Sequence, residues 1–408
     1  MLENLEINSP SPGQRSVRAG AQKQIPISTW FKSLFGQKDK NTLSSPGTAP
    51  APPSAPPMTA QDVDELPYTV IGETPPRFDF KEENGTVIIT GCCLGTQMRM
   101  YSFFRDACWQ HKNGCTVDVP ETINGLPVTA IADGAFKNLH LLLKVTIPES
   151  VHSIGDSAFR DCHDLLGVNI PKRVTRLGSL LFSGCERLQS VNITGDILTI
   201  DYGAFFHCER LCSVTLPNSV TAIRHKAFCG CDNLSSITIP ANVTEIGEQV
   251  FISRRLKEIK VDPNNRVFSD IDGVLYNKNA TTLIEYPFGK STVDFVIPNS
   301  VAKIMHSLCG VELGSLSIPD RVTCIDEQQF AGNMKLTTVV CGQGITHIGK
   351  DAFNQCSRLK KIYFKGNSPT FDGDLPFGGC DNPTIYYHAG ASGWGSTYAT
   401  CPTTTWKA

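Results

Sequence analysis

The chain has 408 residues, a formal net charge of −2, 40% hydrophobic residues and 19% charged residues. One compact core rarely extends over this length, so several domains or a repeat array are expected. The near-neutral charge argues against a nucleic-acid partner, because such a binder carries a basic excess. The sequence contains no run of about 18 apolar residues and therefore predicts no transmembrane segment.

Residues 1–76 differ in composition from the rest of the chain. Residues 44–57 read SSPGTAPAPPSAPP. Such a sequence buries too little surface to offset the entropy of ordering it, so we predict a disordered Ser/Pro/Ala-rich leader and linker over 1–76. The motif STWFKSLF, residues 28–35, is either a stray apolar patch or a docking or export element. The chain start lacks a basic segment followed by an apolar stretch, so no standard secretory signal peptide is expected.

A 23-residue period organises the chain after residue 130. Phenylalanine holds one position of this period at Phe136, Phe159, Phe182, Phe205, Phe228, Phe251, Phe330 and Phe353. Cysteine follows three residues later at Cys162, Cys185, Cys208, Cys231 and Cys356. An isoleucine or leucine five residues before each phenylalanine and a leucine six residues after most of them keep the same step. Coincident registers over six or more units indicate a stacked array.

Each unit reads approximately IPxSVTxIGxxAFxxCxxLxxV, and each part predicts a local structure. The stretch LxxVxIP alternates inward and outward residues, which is typical of a short strand that ends at proline. SVTxIG predicts a second short β segment. The spacing AFxxCxxL predicts a helical turn with Phe, Cys and Leu facing the axis. A single unit cannot bury these residues, so stacking must create a continuous core with a phenylalanine spine.

The units at residues 147–165, IPESVHSIGDSAFRDCHDL, and 216–234, LPNSVTAIRHKAFCGCDNL, resemble the BspA-type leucine-rich repeat of bacterial surface proteins. The resemblance implies a leucine-rich repeat solenoid, mainly β with short helical turns, whose repeats of about 23 residues form a right-handed curved array. It further implies an N-terminal cap at 77–130, repeats at 131–365 with a long repeat at about 261–297, and a C-terminal cap at 366–408. Members of this family act in adhesion and in binding host or matrix proteins.

The outward positions of the predicted strands form the first candidate binding surface. We call these residues the strand face, because solenoids commonly use such a surface for partners. Its members are Lys144, Thr146, Asn169, Ser190, Asn192, Ser213, Thr215, Ser236, Thr238, Glu258, Lys260, Lys361 and Tyr363. Most are Ser, Thr or Asn, with few aromatic or arginine anchors of the kind that dominate binding energy. A merely solvated sheet face is the alternative interpretation.

An aromatic insertion at residues 92–115 offers a second candidate surface. Phe103, Phe104 and Trp109 are its prominent members, and they either cap the first repeat or form a specificity patch. The spacing of Cys108, His111 and Cys115 matches no standard zinc finger, so we predict no metal, with a zinc site or a local disulfide as the alternatives. The cysteines at the repeat position are predicted to be buried core thiols.

The sequence contains no GxSxG, HExxH, Walker A or dinucleotide-binding motif in its required context, and we predict neither a catalytic residue nor a cofactor. The resulting hypothesis is a non-enzymatic repeat protein that binds a protein partner or mediates adhesion through the strand face. A bacterial effector that is exported and binds a host protein is the first alternative. An enzyme that uses the cysteine-rich insertion is the second. Localisation is either cytoplasmic or exported by a non-Sec route, and the family resemblance favours the cell surface or secretion.

Overall fold

The computed structural model describes residues 76–94, 114–305, 308–373 and 375–406. The predicted leader with its STWFKSLF motif lies outside the described residues. Most of the aromatic insertion, including Phe103, Phe104 and Trp109, also lies outside them. The predicted domain boundaries at residues 76, 130 and 365 therefore stay predictions.

Thirty strands and no helix are found within the described residues. The first sixteen are β1 (Arg77–Glu83), β2 (Thr86–Cys93), β3 (Cys115–Asp118), β4 (Thr122–Ile123), β5 (Leu126–Ile131), β6 (Leu142–Thr146), β7 (Ser153–Ile154), β8 (Gly167–Ile170), β9 (Arg176–Leu177), β10 (Ser190–Ile193), β11 (Thr199–Ile200), β12 (Ser213–Val214), β13 (Ala222–Ile223), β14 (Ser236–Ile239), β15 (Glu245–Ile246) and β16 (Glu258–Val261). The others are β17 (Phe268–Ile271), β18 (Val274–Asn277), β19 (Thr282–Glu285), β20 (Thr292–Val296), β21 (Lys303–Ile304), β22 (Leu313–Ile318), β23 (Cys324–Ile325), β24 (Thr338–Cys341), β25 (His347–Ile348), β26 (Lys361–Phe364), β27 (Thr370–Phe371), β28 (Thr384–His388), β29 (Thr397–Tyr398) and β30 (Cys401–Trp406).

Each turn of the solenoid has three sides, which correspond to the three parts of the repeat. The longer strands, mostly from the LxxVxIP part, stack in parallel to form the sheet β12-β10-β8-β6-β3, the pair β14-β16 and the strands β20-β22-β24-β26-β28-β30, to which β29 adds antiparallel on β30. The two-residue strands from the SVTxI part stack separately, as in β15-β13-β11-β9 and β23-β25-β27. The AFxxC part forms the third side. The predicted leucine-rich repeat solenoid, mainly β, is confirmed.

The third side is not helical, and the prediction of short helical turns was wrong. Its backbone N–H groups alternate between two kinds of acceptor. Phe159 N donates to Leu181 O of the next turn at 3.0 Å, whereas Arg160 N donates to Ser157 O at 3.0 Å. Half of the donors are therefore committed to the neighbouring turn, and an α-helix would need all of them within its own segment. The F-x-x-C spacing matches a helix only because three residues span one tight bend.

Left-handed backbone recurs two residues before and two residues after the spine phenylalanine. Around Phe159 these residues are Ser157, with φ of 57°, and Asp161, with φ of 59°. Around Phe353 they are Asp351 and Gln355, with φ of 55° and 60°. Residues other than glycine rarely adopt this region, since it costs roughly 1–2 kcal/mol per residue. Stacking against identical neighbours imposes the conformation, and it interrupts any helix at both ends of the bend.

The predicted phenylalanine spine is confirmed as a stack of parallel rings. Ring centroids lie 5.1 Å apart between Phe136 and Phe159 and 5.1 Å apart between Phe205 and Phe228, with interplanar angles of 17° and 7°. The eight predicted spine phenylalanines are all at most 2% exposed. The sequence analysis missed a further member, Phe377, which stacks on Phe353 at 5.7 Å. It follows Phe353 by 24 residues rather than 23, so a strict period passes over it.

The long repeat forms a two-sided layer that separates two core clusters. Strands β17 and β18 pair as an antiparallel hairpin with Ile271 opposite Val274. Leu275 packs into the cluster that extends back to β2, whereas Val274 and Tyr276 pack into the cluster that extends forward to β30. Alternate residues of one strand point to opposite faces, so this single strand contributes to both clusters.

Replacing a mid-array spine residue should be costly. We expect Phe205→Ala to reduce the free energy of unfolding by about 3–5 kcal/mol, because the substitution removes transfer energy and leaves a cavity between two stacked rings. Urea unfolding followed by circular dichroism measures the change. Tyr202→Ala serves as a control in the same turn, since that side chain is 38% exposed. A loss below about 1 kcal/mol for Phe205→Ala would contradict a tightly packed spine.

The positive φ angles beside the spine phenylalanines lead to a second prediction about stability. Gln355 is exposed and has a φ of 60°, so Gln355→Gly should preserve or increase stability, whereas Gln355→Val should reduce it by roughly 1–2 kcal/mol. Gln343→Val is the matched control at an exposed glutamine that has no positive φ. Thermal unfolding of the three variants gives the comparison. Equal effects of valine at 343 and 355 would show that the backbone at 355 is not strained.

Candidate functional site

Alternating burial along the long strands creates the strand face. In β14 the residues Ser236 and Thr238 are exposed, whereas Ile237 and Ile239 are buried. The inward residues are held by the core, so the outward residues are aligned wherever neighbouring strands pair in register. The strand face is therefore a consequence of the same stacking that builds the core.

Strand pairing brings the predicted strand-face residues into columns. In the N-terminal sheet, Ser190 lies opposite Gly167 and Ser213, and Asn169 lies opposite Asn192. Glu258 and Lys260 lie opposite Ser236 and Thr238 in the pair β14-β16. Of the other strand-face residues, Lys144 lies opposite Gly167, Thr146 opposite Asp118, Lys361 opposite Thr384 and Tyr363 opposite Tyr386. Thr215 follows the end of β12 and lies outside a strand.

The strand face is less uniformly exposed than its sequence pattern predicts. Ser190 is only 9% exposed, and Lys144, Glu258 and Tyr363 are half-buried. A shallow depression of about 300 Å³ lies on this face. Its smallest lining residues are Ser190 and the buried Gly167, and its longer lining side chains include Thr146, Asn169 and Asn192. Part of the predicted Ser/Thr/Asn stripe therefore lines a concave surface of mixed polar and apolar character instead of projecting from a flat one.

The strand face is also divided into separate sheets. No strand pairing joins β12 to β14 among the described residues, and the hairpin β17-β18 intervenes in the chain between β16 and β20. On β20, the edge strand of the last sheet, Val293 and Val296 are 78% and 65% exposed. Lys260 forms an ion pair of 2.9 Å with Glu258 on its own strand. The strand face up to β16 is thus polar, and the two charges on β16 pair with each other. The sheet that begins at β20 instead starts with exposed apolar residues.

An aromatic cluster lies on the strand face of the last sheet. We define it as Tyr363, Tyr386, His388 and Trp406. The rings of Tyr363 and Tyr386 stack with centroids 4.7 Å apart, and the indole of Trp406 meets Tyr363 edge-on at 5.4 Å. Trp406 Nε1 donates to Phe364 O at 3.4 Å, and His388 contacts Trp406 edge-on at 6.0 Å. The two tyrosines and the tryptophan are half-buried, so each ring is held in place while part of it faces solvent.

Sequence reasoning found only Tyr363 of this cluster. Tyr386 follows it by 23 residues, so extending the repeat step by one unit would have identified it. Trp406 carries no such signal, because β30 pairs with β28 in a shifted step that places Thr404 opposite Tyr386 and Trp406 opposite His388. The aromatic content of the strand face was therefore underestimated at its C-terminal end.

The predicted core thiols form a regular column, which we call the thiol ladder. Each sulfur donates to the carbonyl oxygen of the spine phenylalanine one turn earlier, as Cys208 Sγ does to Phe182 O at 3.1 Å. Cys162, Cys185, Cys208, Cys231 and Cys356 are all 0% exposed. The turn of Phe251 lacks the ladder cysteine. Arg254 follows Phe251 by three residues, and the neighbouring Ser253 donates to Cys231 O at 2.6 Å instead of to a phenylalanine carbonyl.

Burial raises the pKa of the thiols near the N-terminal cap, which argues against a reactive centre there. Desolvation raises the pKa of Cys92 to about 12 and that of Cys115 to about 11. In the described part of the chain, no three His, Cys, Asp or Glu side chains are arranged to hold a metal ion. Cys108 and His111 lie outside it, so the prediction about zinc at this position stays a prediction.

Comparison with known families identifies the scaffold. The model for the BspA type leucine rich repeat region matches residues 129–257 and 281–389 in six copies. The chain belongs to the BspA-type leucine-rich repeat family. The gap between the two matched segments, residues 258–280, lies mostly within the long repeat. Within the described residues, no helix is long and apolar enough to cross a membrane. No curated protein matches the chain.

Several solved structures are similar to this chain. A leucine rich cell surface protein from Faecalibacterium prausnitzii is 26% identical, with 74% of this chain and 89% of that chain covered and a TM-score of 0.49. The pneumococcal vaccine antigen PcpA is 18% identical, with 78% and 87% covered and a TM-score of 0.49. A leucine-rich repeat protein from Eubacterium ventriosum is 22% identical, with 75% of each chain covered and a TM-score of 0.49.

Thiol titration tests the electrostatics of the exposed cysteine on the short-strand side. Desolvation and the Asp326 carboxylate, 3.4 Å from Cys324 Sγ, raise the pKa of Cys324 to about 11. Because only the thiolate reacts, alkylation of Cys324 by iodoacetamide should keep rising about tenfold per pH unit from pH 8 to pH 10. Peptide mapping measures this rate, and Asp326→Asn should lower the pKa. A plateau near pH 9 in the unaltered protein would contradict the raised pKa.

Proposed function

We propose that this BspA-type repeat protein is a non-enzymatic binding protein that engages a protein partner through its strand face. The aromatic cluster at the C-terminal end supplies the anchor of this interaction. The proposed setting is the cell surface or the extracellular space, in keeping with the family resemblance to bacterial surface proteins. Adhesion is the proposed biological outcome of the binding.

The single observation that supports the proposal is the partly exposed aromatic cluster on an otherwise polar, ordered sheet face. Tyrosine and tryptophan dominate the binding energy of protein interfaces because they bury a large area with little loss of conformational freedom. Tyr363 and Tyr386 are already stacked and Trp406 is held by a hydrogen bond, so little ordering remains to oppose association.

The Ser/Thr/Asn part of the strand face supports a different role within the same interface. Small polar residues such as Ser213, Thr215, Ser236 and Thr238 allow close approach of a partner backbone and contribute hydrogen bonds of modest net value. They are exposed and neutral. We propose that they provide shape and register, while the aromatic cluster provides most of the affinity.

A comparison of variants tests where the partner binds. The full-length protein is immobilised and offered a mixture of serum and extracellular-matrix proteins, and the captured proteins are quantified by mass spectrometry. We expect Tyr363→Ala combined with Tyr386→Ala to weaken capture at least tenfold, equivalent to a loss of about 1.4 kcal/mol. Glutamine at Ser213, Thr215, Ser236 and Thr238 together should also weaken it by blocking close approach.

Two further variants make the comparison decisive. Tyr202→Ala removes an exposed tyrosine from the third side of the solenoid and should leave capture unchanged. Phe104→Ala combined with Trp109→Ala removes the alternative patch of the N-terminal insertion. All variants are checked for folding by circular dichroism. If only the Phe104 and Trp109 variant loses its partner, the strand face is a solvated surface and the proposed site is wrong.

A further inference from the structure

The C-terminal end of the thiol ladder differs from its interior. Cys380 follows Phe377 by three residues and so extends the Phe-x-x-Cys pattern by one turn beyond Cys356. Its sulfur donates to Phe353 O at 3.2 Å, just as Cys356 Sγ donates to Phe330 O at 3.2 Å. Cys380 is therefore a true ladder member. Unlike Cys356 and the other members of the predicted ladder, it is only partly buried.

Backbone geometry places Cys356 and Cys380 in register on adjacent turns. Gln355 N donates to Gly378 O at 2.7 Å, and a Cβ on Gly379 would lie 3.3 Å from Gln355 N. Chains paired in this way lie about 4.8 Å apart, which is within the Cα separation of about 4.4–6.8 Å that a disulfide spans. The backbone therefore places the two side chains within reach of each other for a disulfide.

The surroundings give the two sulfurs different reactivity. Cys380 is partly exposed, and Gly379 and Asp381 on either side of it are exposed. Cys356 is 0% exposed. An oxidant from solvent can therefore reach Cys380 more readily than Cys356, and reaction occurs through the thiolate form.

We propose that Cys356 and Cys380 form a reversible disulfide, with Cys380 as the attacking thiol and Cys356 as the resolving thiol. The oxidant is a low-molecular-weight disulfide. Cys380 thiolate attacks one sulfur of this molecule, whose S–S bond breaks to release one thiol and leave a mixed disulfide on Cys380. Cys356 then loses its proton and attacks Cys380 Sγ, which releases the second thiol. Two electrons and two protons pass from the cysteine pair to the oxidant.

Oxidised glutathione is the probe that tests this site in the full-length protein. The native protein is incubated with it at pH 8, remaining thiols are blocked under denaturing conditions, and the peptides are mapped by mass spectrometry. We expect a Cys356–Cys380 linked peptide that disappears on treatment with dithiothreitol. The Cys208–Cys231 pair is the internal control, because both thiols are fully buried and should stay unlinked. Absence of the Cys356–Cys380 link would overturn the proposal.

Substitution of the resolving thiol distinguishes a pair from a single accessible cysteine. In Cys356→Ser, the glutathione adduct on Cys380 should accumulate at least tenfold above the amount in the unaltered protein, because nothing resolves it. In Cys380→Ser, Cys356 should carry neither a link nor an adduct. A serine hydroxyl can donate to the same phenylalanine carbonyl oxygen as the thiol does, so both variants are expected to fold, and Cys208→Ser is the matched control for that substitution. Equal adduct on Cys380 with and without Cys356 would show that the two thiols do not react as a pair.

Discussion

Hydrogen bonding between successive turns is the constraint on which the rest of this structure depends. On each side of the solenoid the backbone donates to, or accepts from, the turn above and below, and on the third side every second N–H does so. Successive turns can form these backbone hydrogen bonds with one another only if they have the same cross-section. The phenylalanine spine, the thiol ladder and the left-handed residues then follow, because the same residue must fill the same space in each turn.

That constraint also separates the inward positions, which build the core, from the outward positions, which are free to contact a partner. Inward residues such as Ile237 and Ile239 are fixed by their neighbours above and below, so variation is confined to outward residues such as Ser236 and Thr238. The strand face carries small polar residues at one end and Tyr363, Tyr386 and Trp406 at the other. The two ends therefore differ in side-chain chemistry and also in backbone pairing, which is in register between β8 and β10 but shifted between β28 and β30.

The 23-residue repeat made most of the fold predictable, but it did not predict the conformation of the third side, the position of Trp406 or the hairpin. Coincident registers identified the core, since apolar residues that recur every 23 positions are the ones that stacking buries. They misassigned the third side, because F-x-x-C spacing is compatible with a helix as well as with a bend held by the neighbouring turn. Tyr386 was within reach of the same reasoning, whereas Trp406 depended on a shifted pairing of β30 that no spacing reveals. The hairpin that divides the core was likewise visible only as an interruption.

The ends of a stack are where identical residues acquire different chemistry. A cysteine in the middle of the ladder has a turn on each side, so it is fully buried and its sulfur serves only to satisfy a phenylalanine carbonyl oxygen. Cys380 makes the same hydrogen bond but is only partly buried and is flanked by the exposed residues Gly379 and Asp381. The aromatic cluster lies in the same final turns, where repeat register gives way to irregular pairing. Both the proposed binding anchor and the proposed thiol pair thus rest on departures from periodicity rather than on the periodic pattern itself.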